Sequence, residues 1–297
     1  MSKSESAPGP GAAAPVRERV RINGRQLAFH RVGSRSPTVI LETGLGAESS
    51  EWSSIQQRIG SSTLTVRYDR VGRGDSDPAE VPRTAGDMVD DLHSLLSVAG
   101  IPAPYILVGH SFGGLLMRLF AHRYLAEVCS LVLVDAMNEN QFDVIGAALP
   151  PPTPDDPPAL RGFREFWSGG WRKPASTPER IDFAASFRQV REVRSLGELP
   201  VRIISAGTVI NSAFMPENAR PALQSSWDQL QSHFLRLSPH ARQSFAMQSG
   251  HFVQRDAPEV LIEAITDLIV IERLRRAAHR SAPIESSHRR GHPGITE

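Results

Sequence analysis

The chain has 297 residues, of which 40% are hydrophobic, and its 33 Lys plus Arg against 32 Asp plus Glu give a formal net charge of +1. A chain of this length can bury enough apolar surface to fold without disulfides or a structural metal. The near-zero charge provides no global field that would attract nucleic acid or an anionic membrane surface, so we expect neither as a partner.

Cysteine usage and the absence of long apolar runs indicate where the protein resides. The sequence has no apolar run approaching the roughly 18 residues of a membrane span, and no apolar segment typical of a signal peptide near Met1. Its single cysteine, Cys129, cannot form an internal disulfide and lies in the apolar run 128–134, which predicts a buried, unreactive thiol. We therefore expect a cytoplasmic protein, whose oligomeric state the sequence does not indicate.

Both ends of the chain are poor in large apolar residues. Residues 1–15 are rich in Pro and Gly, and residues 277–297 are rich in His, Arg, Ser and Pro. Because such segments bury too little apolar surface to offset the entropy of ordering, both are predicted to be disordered tails. The irregular spacing of His279, His288 and His292 favours a solvated tail over a metal site.

Between the tails, short apolar β-branched runs alternate with helix-length amphipathic segments, which predicts an α/β fold with helices on both faces of a mostly parallel sheet. Helices are predicted at 52–59, 84–99, 112–124, 216–237 and 258–276. Strands are predicted at 20–22, 26–32, 38–42, 64–68, 105–108, 130–134, 201–205 and 244–247.

One interval, residues 137–197, contains no predicted strand. Six prolines lie within residues 150–158, and such a run cannot occupy a helix interior. We interpret the interval as a lid inserted into a core formed by residues 16–136 and 198–276. The aromatic residues of the lid either pack it onto the core or also line a substrate pocket, and the candidates for the pocket are Phe163, Phe166, Trp167 and Trp171.

The segment Gly109-His110-Ser111-Phe112-Gly113 fits the pattern G-x-S-x-G between a buried strand and an amphipathic helix. Flanking glycines let strand and helix approach closely, so that a strained turn exposes the serine hydroxyl. This context favours Ser111 as a nucleophile over a serine that only caps the helix.

A serine nucleophile needs a base that removes its proton. His251 follows the last predicted strand, where a loop would lie over the carboxyl edge of the sheet. The histidines at 30, 93, 122 and 233 fall inside predicted strands or helices. His110, next to the serine, is better placed to shape the turn than to act as a base.

With these motifs and the segments 41–46, 68–76 and 133–135, the chain resembles α/β-hydrolase-fold serine hydrolases of the bacterial esterase type over about residues 17–276. The resemblance implies an eight-stranded, mostly parallel sheet with a helical lid inserted after the sixth strand. It also implies ester hydrolysis without a cofactor. The turn that carries Ser111 is called the nucleophile elbow. Haloalkane dehalogenases and epoxide hydrolases of this fold place an aspartate there, so the serine argues against both of these enzyme classes.

The chain departs from the family pattern at two places. Thr43 stands where a His-Gly-x-Gly motif would begin, but an oxyanion hole needs backbone N–H groups, and Leu45 and Phe112 can supply them. The usual acidic position after the seventh strand holds no carboxylate. Asp135, at the end of the sixth strand, where some family members carry their acid, is our candidate; Glu217 is the rival, and Asn211 is a weaker neutral substitute.

Other patterns indicate structure rather than chemistry. The segment that holds Asp69, Arg70, Gly72 and Gly74 is better explained as a hydrogen-bonded turn than as a substrate contact. The sequence contains no dinucleotide fingerprint, P-loop, H-E-x-x-H or paired C-x-x-C motif, so we expect neither a cofactor nor a metal.

The sequence thus predicts a hydrolase that cleaves a small-molecule carboxylic ester through an acyl-enzyme. The same residues would serve an amidase, a lactonase, a carbon–carbon bond hydrolase or an acyltransferase. A ligand-binding or signalling protein that keeps the fold without catalysis is a further alternative, but it has no physical need of a complete Ser, Asp and His set.

Overall fold

The computed structural model describes residues 16–78, 82–208 and 214–281, so the tail predicted at 1–15 and most of the tail predicted after residue 276 lie outside the described residues. Eight strands form one sheet in the order β1-β2-β4-β3-β5-β6-β7-β8. The strands are β1 Val16–Ile22, β2 Arg25–Val32, β3 Thr38–Glu42, β4 Thr65–Tyr68, β5 Tyr105–His110, β6 Val128–Val134, β7 Val201–Ala206 and β8 Ala241–Ala246.

The predicted sheet is confirmed: β1 with β2 and β2 with β4 pair antiparallel, and every pairing from β4 through β8 is parallel. The last strand begins at Ala241, earlier than predicted, because its polar, partly exposed first half lacks the apolar signal of the buried strands.

Helices cover both faces of the sheet, and alternate residues of a strand feed different cores. In β5, Leu107 belongs to one buried cluster, with α2 and α3, whereas Ile106 and Val108 belong to the other, with α1 and α9. The helices are α1 Ser53–Gly60, α2 Ala85–Val98, α3 Phe112–Arg123, α4 Gln141–Ala148, α5 Pro158–Ser168, α6 Phe183–Val190, α7 Arg220–Ser232, α8 Val253–Asp256 and α9 Pro258–Ser281.

The interval between β6 and β7 holds α4, α5 and α6, and the proline-rich stretch ends where Pro158 starts α5. Helices α4 and α5 share a third buried cluster with α7, which includes Ile145, Leu160 and Trp227. Helix α6 instead packs against α2, where Ser186 Oγ accepts a hydrogen bond from the Ala85 N–H. Within this interval, α4 and α5 therefore pack with α7, whereas α6 packs with α2.

Helix α9 continues to Ser281, beyond the predicted end at residue 276. Within the described ranges, none of the helices combines the length and apolarity that crossing a membrane requires.

Candidate active site

Ser111 occupies the turn between β5 and α3 with φ of 52° and ψ of −120°, a backbone conformation that L-residues rarely adopt. Close packing on both sides imposes this turn. A Cβ atom at Gly109 would lie 2.4 Å from the Gly113 carbonyl oxygen, and one at Gly113 would lie 2.6 Å from the Thr43 carbonyl oxygen. The flanking glycines are therefore required by backbone contact, as the motif predicts.

The Ser111 side chain makes no capping hydrogen bond to α3. Its backbone is held instead: the Ser111 N–H donates to Val134 O at 3.0 Å, and the Ser111 carbonyl accepts from the Met137 N–H at 2.8 Å. The hydroxyl lies at the wall of a cavity that His251 also lines. This arrangement leaves the hydroxyl available for chemistry.

Asp135 and His251, far apart in the sequence, meet at this cavity. Asp135 follows β6 directly, with φ of 41°, and its side chain is completely buried. Its Oδ2 lies 2.6 Å from His251 Nδ1, and the His251 side chain keeps 28% of its surface exposed. With Nδ1–H donating to the carboxylate, Nε2 is the ring nitrogen left to accept a proton.

The second carboxylate oxygen of Asp135 accepts two further hydrogen bonds. The donors are the Ala206 backbone N–H at 3.1 Å, at the end of β7, and Trp227 Nε1–H at 2.9 Å, on α7. Because hydrogen bonds replace the lost water shell, the carboxylate is compensated without a cationic side chain. No sequence pattern predicts this contact of Trp227, since helical periodicity marks the residue only as part of the core.

The rival acid, Glu217, does not contact His251 in the described part of the chain. Glu217 is exposed, in a short 3₁₀ turn at Glu217–Ala219. Asn211 lies outside the described residues. The structure therefore brings Asp135, and not Glu217, to Nδ1 of His251.

His110 is buried beside the serine and holds the histidine loop in place. Its Nε2 lies 2.8 Å from the His251 carbonyl oxygen and donates to it, while its Nδ1 accepts from Gln254 Nε2 at 3.2 Å. Burial, reinforced by the neighbouring His251, lowers the pKa of His110 well below its ordinary value. His110 is therefore a neutral donor that supports the loop.

The two predicted oxyanion donors flank the serine. Phe112 is the first residue of α3, so its N–H has no carbonyl partner in a preceding helical turn. Leu45 lines the same cavity as Ser111, and its neighbour Gly44 is so close that a Cβ there would lie 3.4 Å from Ser111 Cβ.

The cavity at Ser111 has a volume of about 280 Å³ and is lined mainly by apolar and aromatic side chains, and the described lining residues include no Asp, Glu, Lys or Arg. Phe163, Phe166 and Trp167 line it as predicted, and Trp167 and Phe163 stack with centroids 5.3 Å apart. The sequence missed the remaining lining residues, which are Met137, Gln141, Phe142, Met215 and Trp227.

Trp171 does not belong with these lining residues, contrary to our prediction. It is buried, with 6% of its surface exposed, and its ring stacks on Phe142 at 5.0 Å between centroids. Phe142 lines the cavity and Trp171 stacks on it, so Trp171 packs the inserted segment onto the core behind the cavity wall.

The turn after β4 has the structural role that we predicted for it. Asp69 accepts from the Ser49 N–H at 2.9 Å and from the Asp75 N–H at 3.1 Å. Arg70 is buried and forms ion pairs with Glu42 and Glu179. Among the described residues, no group of three or more His, Cys, Asp or Glu side chains is arranged to hold a metal ion.

A mostly parallel sheet that carries a serine in a strained strand-to-helix turn, with an Asp–His pair beside it, defines the α/β-hydrolase class. The model of the alpha/beta hydrolase family matches residues 39–264, and the chain belongs to this family.

The similarity to individual proteins is low in sequence identity. The chain is 27% identical to the YqjL protein of Bacillus subtilis over 241 residues, which cover 80% of this chain and 86% of YqjL. It is 32% identical to an AB hydrolase superfamily protein of Gibberella zeae over 37% of this chain and 35% of that protein. Among solved structures, E-2-(acetamidomethylene)succinate hydrolase is similar with a TM-score of 0.58 at 21% identity, covering 86% of this chain and 99% of that one.

Proposed function

We propose that the protein is a serine hydrolase that cleaves small, uncharged carboxylic esters through an acyl-enzyme, without a cofactor. One observation carries the proposal: Ser111, in its strained turn, and His251, held by Asp135, line the same apolar cavity. The proposed nucleophile and base thereby face one cavity, and the orienting acid contacts Nδ1 of the base, as the reaction needs.

In the acylation step, Ser111 Oγ attacks the ester carbonyl carbon and its proton passes to His251 Nε2. The carbonyl oxygen becomes an oxyanion that the N–H groups of Leu45 and Phe112 stabilise. The Asp135 carboxylate keeps the remaining imidazole proton on Nδ1 and stabilises the cation. When the carbon–oxygen bond to the leaving group breaks, the alcohol takes the proton from Nε2.

Deacylation repeats these events with water. His251 Nε2 removes a proton from the water that attacks the acyl-enzyme carbonyl, and Ser111 recovers its proton as the acid departs. Two protein groups thus move every proton, and the hydrolysis balances without another reactant.

The cavity lining indicates the substrate class. Its aromatic wall, Phe142, Phe163, Phe166 and Trp167, fits an apolar acyl or alcohol group. A charged substituent would lose its water shell there without gaining an opposite charge, because none of the lining side chains in the described part of the chain is an acid, lysine or arginine.

The test is hydrolysis of short-chain p-nitrophenyl esters together with labelling by a fluorophosphonate. We expect wild type to turn over and to be labelled at Ser111, and Ser111→Ala to lose at least about 10³-fold in kcat and all labelling. Ser94→Ala is the matched control, because the Ser94 hydroxyl on α2 donates to the Asp90 carbonyl oxygen of the same helix. Undiminished turnover in Ser111→Ala would overturn the assignment, and faster cleavage of a p-nitroanilide than of the matching ester would favour the amidase alternative.

A further inference from the structure

Arg70, after β4, lies buried between two glutamates from distant parts of the chain. Its Nη1 lies 2.5 Å from Glu42 Oε1, at the end of β3. Its Nε and Nη2 lie 2.8 and 2.6 Å from the two carboxylate oxygens of Glu179, in the segment between α5 and α6. The two-point contact fixes the guanidinium plane relative to Glu179.

The same guanidinium holds the loop that carries the proposed oxyanion donor Leu45. Nη1 donates to the Thr43 carbonyl at 2.9 Å, and Nη2 donates to the Gly44 carbonyl at 2.7 Å. The Gly44 carbonyl and the Leu45 N–H belong to one planar trans peptide, so they point in opposite directions. Fixing the Gly44 oxygen therefore fixes the direction of the Leu45 N–H.

Arg70 also changes the strength of that donor. A cation that donates to an amide oxygen draws electron density from the amide nitrogen, which makes the N–H a better hydrogen-bond donor. In this buried setting, where Arg70 is 3% exposed, water screens the effect little.

Glu179 holds the other side of Leu45. Its Oε1 accepts from the Gly46 N–H at 2.6 Å, and the preceding Pro178 is so near that a Cβ at Gly46 would lie 3.3 Å from it. Peptides on both sides of Leu45 are thus fixed by one ion pair. Although burial opposes ionisation, the charge and hydrogen bonds of Arg70 and the Gly46 N–H hold the pKa of Glu179 below its ordinary value.

We propose that Arg70 and Glu179 are positioning residues of the oxyanion hole: Arg70 aims and polarises the Leu45 N–H through the Gly44 carbonyl, and Glu179 ties this loop to the inserted segment. The proposal rests on the proposed function, since it assigns a role within the same reaction. It makes the geometry of the hole depend on an acid outside the loop, because Glu179 accepts from both Gly46 and Arg70.

The test compares Glu179→Gln and Arg70→Lys with wild type. A glutamine has one acceptor oxygen instead of two, so at least one of the three donors (Arg70 Nε, Arg70 Nη2 and the Gly46 N–H) would face an NH2 group. A lysine lacks the planar fork of arginine. We expect kcat per active site, counted by fluorophosphonate titration, to fall about 10- to 100-fold in each variant. KM should change less than about threefold, and the Ki of a trifluoromethyl ketone, which forms an oxyanion on Ser111, should rise by the same factor as kcat falls.

Glu272→Gln is the matched control. The side chain of Glu272 is 4% exposed, similar to the 3% of Glu179, and it pairs with Arg276 at 2.8 Å on α9. The control removes the charge of a similarly buried carboxylate, whose partners Arg275 and Arg276 are 59% and 40% exposed, and it does not touch the loop. Its kcat per titrated site should therefore equal that of wild type.

Unchanged kcat per titrated site and unchanged Ki in Glu179→Gln would overturn the proposal, even if Arg70→Lys does not fold. A loss of titratable sites alone, with normal turnover at the rest, would show a purely structural role and would also overturn it. Failure of wild type to hydrolyse esters or to be labelled at Ser111 would instead refute the proposed function, and this inference with it.

Discussion

His251 Nδ1 lies 2.6 Å from Asp135 Oδ2, and this contact joins a loop after the last strand to the end of the sixth strand. The carboxylate is completely buried, whereas the imidazole is partly exposed to the cavity. The pair therefore has one face fixed by the protein core and one face available to a substrate.

Replacing Asp135 with Asn tests the role of this contact. An amide can present its N–H to Nδ1, which would place the imidazole proton on Nε2, where it blocks general-base catalysis. We expect kcat for a p-nitrophenyl ester to fall by about 10² to 10⁴ with the fold retained by circular dichroism. Glu217→Gln serves as the control and should keep wild-type activity; the opposite pattern would identify Glu217 as the acid.

Trp227→Phe removes one of the two donors to Asp135 Oδ1 and keeps an aromatic ring in the cavity wall. A hydrogen bond to a charged group contributes about 1.5–3 kcal/mol, and part of this loss should appear as a roughly 10-fold lower kcat. Trp171→Phe is the matched control, because the buried Trp171 Nε1 has no hydrogen-bond partner within the described residues. Equal kcat values for the two variants would show that Trp227 acts only through packing.

Substituting the elbow glycines should destabilise the protein strongly. In Gly109→Ala the new Cβ would meet the Gly113 carbonyl oxygen at 2.4 Å, so strand and helix must separate. We expect kcat to fall by several orders of magnitude and the thermal unfolding midpoint to fall by about 5 °C or more. Gly162→Ala, in α5, has no atom of the described residues within 4 Å of the new Cβ and should instead raise the midpoint by a few degrees through helix propensity. A Gly109→Ala variant as stable and active as wild type would contradict the elbow geometry.

Cys129 should be inert in the native protein. Burial raises the pKa of its thiol to about 12. At about pH 8 the thiolate fraction is then on the order of 10⁻⁴, and thiol reagents also lack access to the buried sulfur. We expect Ellman's reagent to leave the native protein unlabelled and fully active, and to titrate one thiol in concentrated guanidinium chloride. Fast labelling of the native protein would show that this strand opens.

His110 should make stability fall in acid. Its pKa is lowered in the folded state from an ordinary value of 6.5, so below that value the unfolded chain binds a proton that the native state does not. Stability from this group is complete above the unfolded pKa and declines as the pH falls below it, by up to about 1.4 kcal/mol per pH unit. Urea unfolding between about pH 7.5 and 5 should show this slope in wild type, and a smaller slope in His110→Gln. Equal slopes would mean that His110 titrates alike in both states.

Local patterns in the sequence determined the sheet and the positions of two site residues. Alternation of apolar runs and amphipathic segments located every strand, and the glycines around Ser111 marked the elbow, because these signals depend on residues that are near neighbours in the chain. His251 followed from its position after the last strand. The polar first half of β8 and the length of α9 were missed because packing, not periodicity, stabilises them.

The tertiary structure decided which groups surround those two residues. The sequence left Asp135 and Glu217 open, since the choice depends on which carboxylate the folded backbone brings to Nδ1 of a residue more than a hundred positions away. The sequence analysis predicted Trp171 as a pocket residue, but the ring of Phe142 stacks on Trp171 in the folded chain. The contact of Glu179 with Arg70 and Gly46 joins segments with no common local pattern. Such non-local pairings form only when the whole core is packed, and so no periodicity records them.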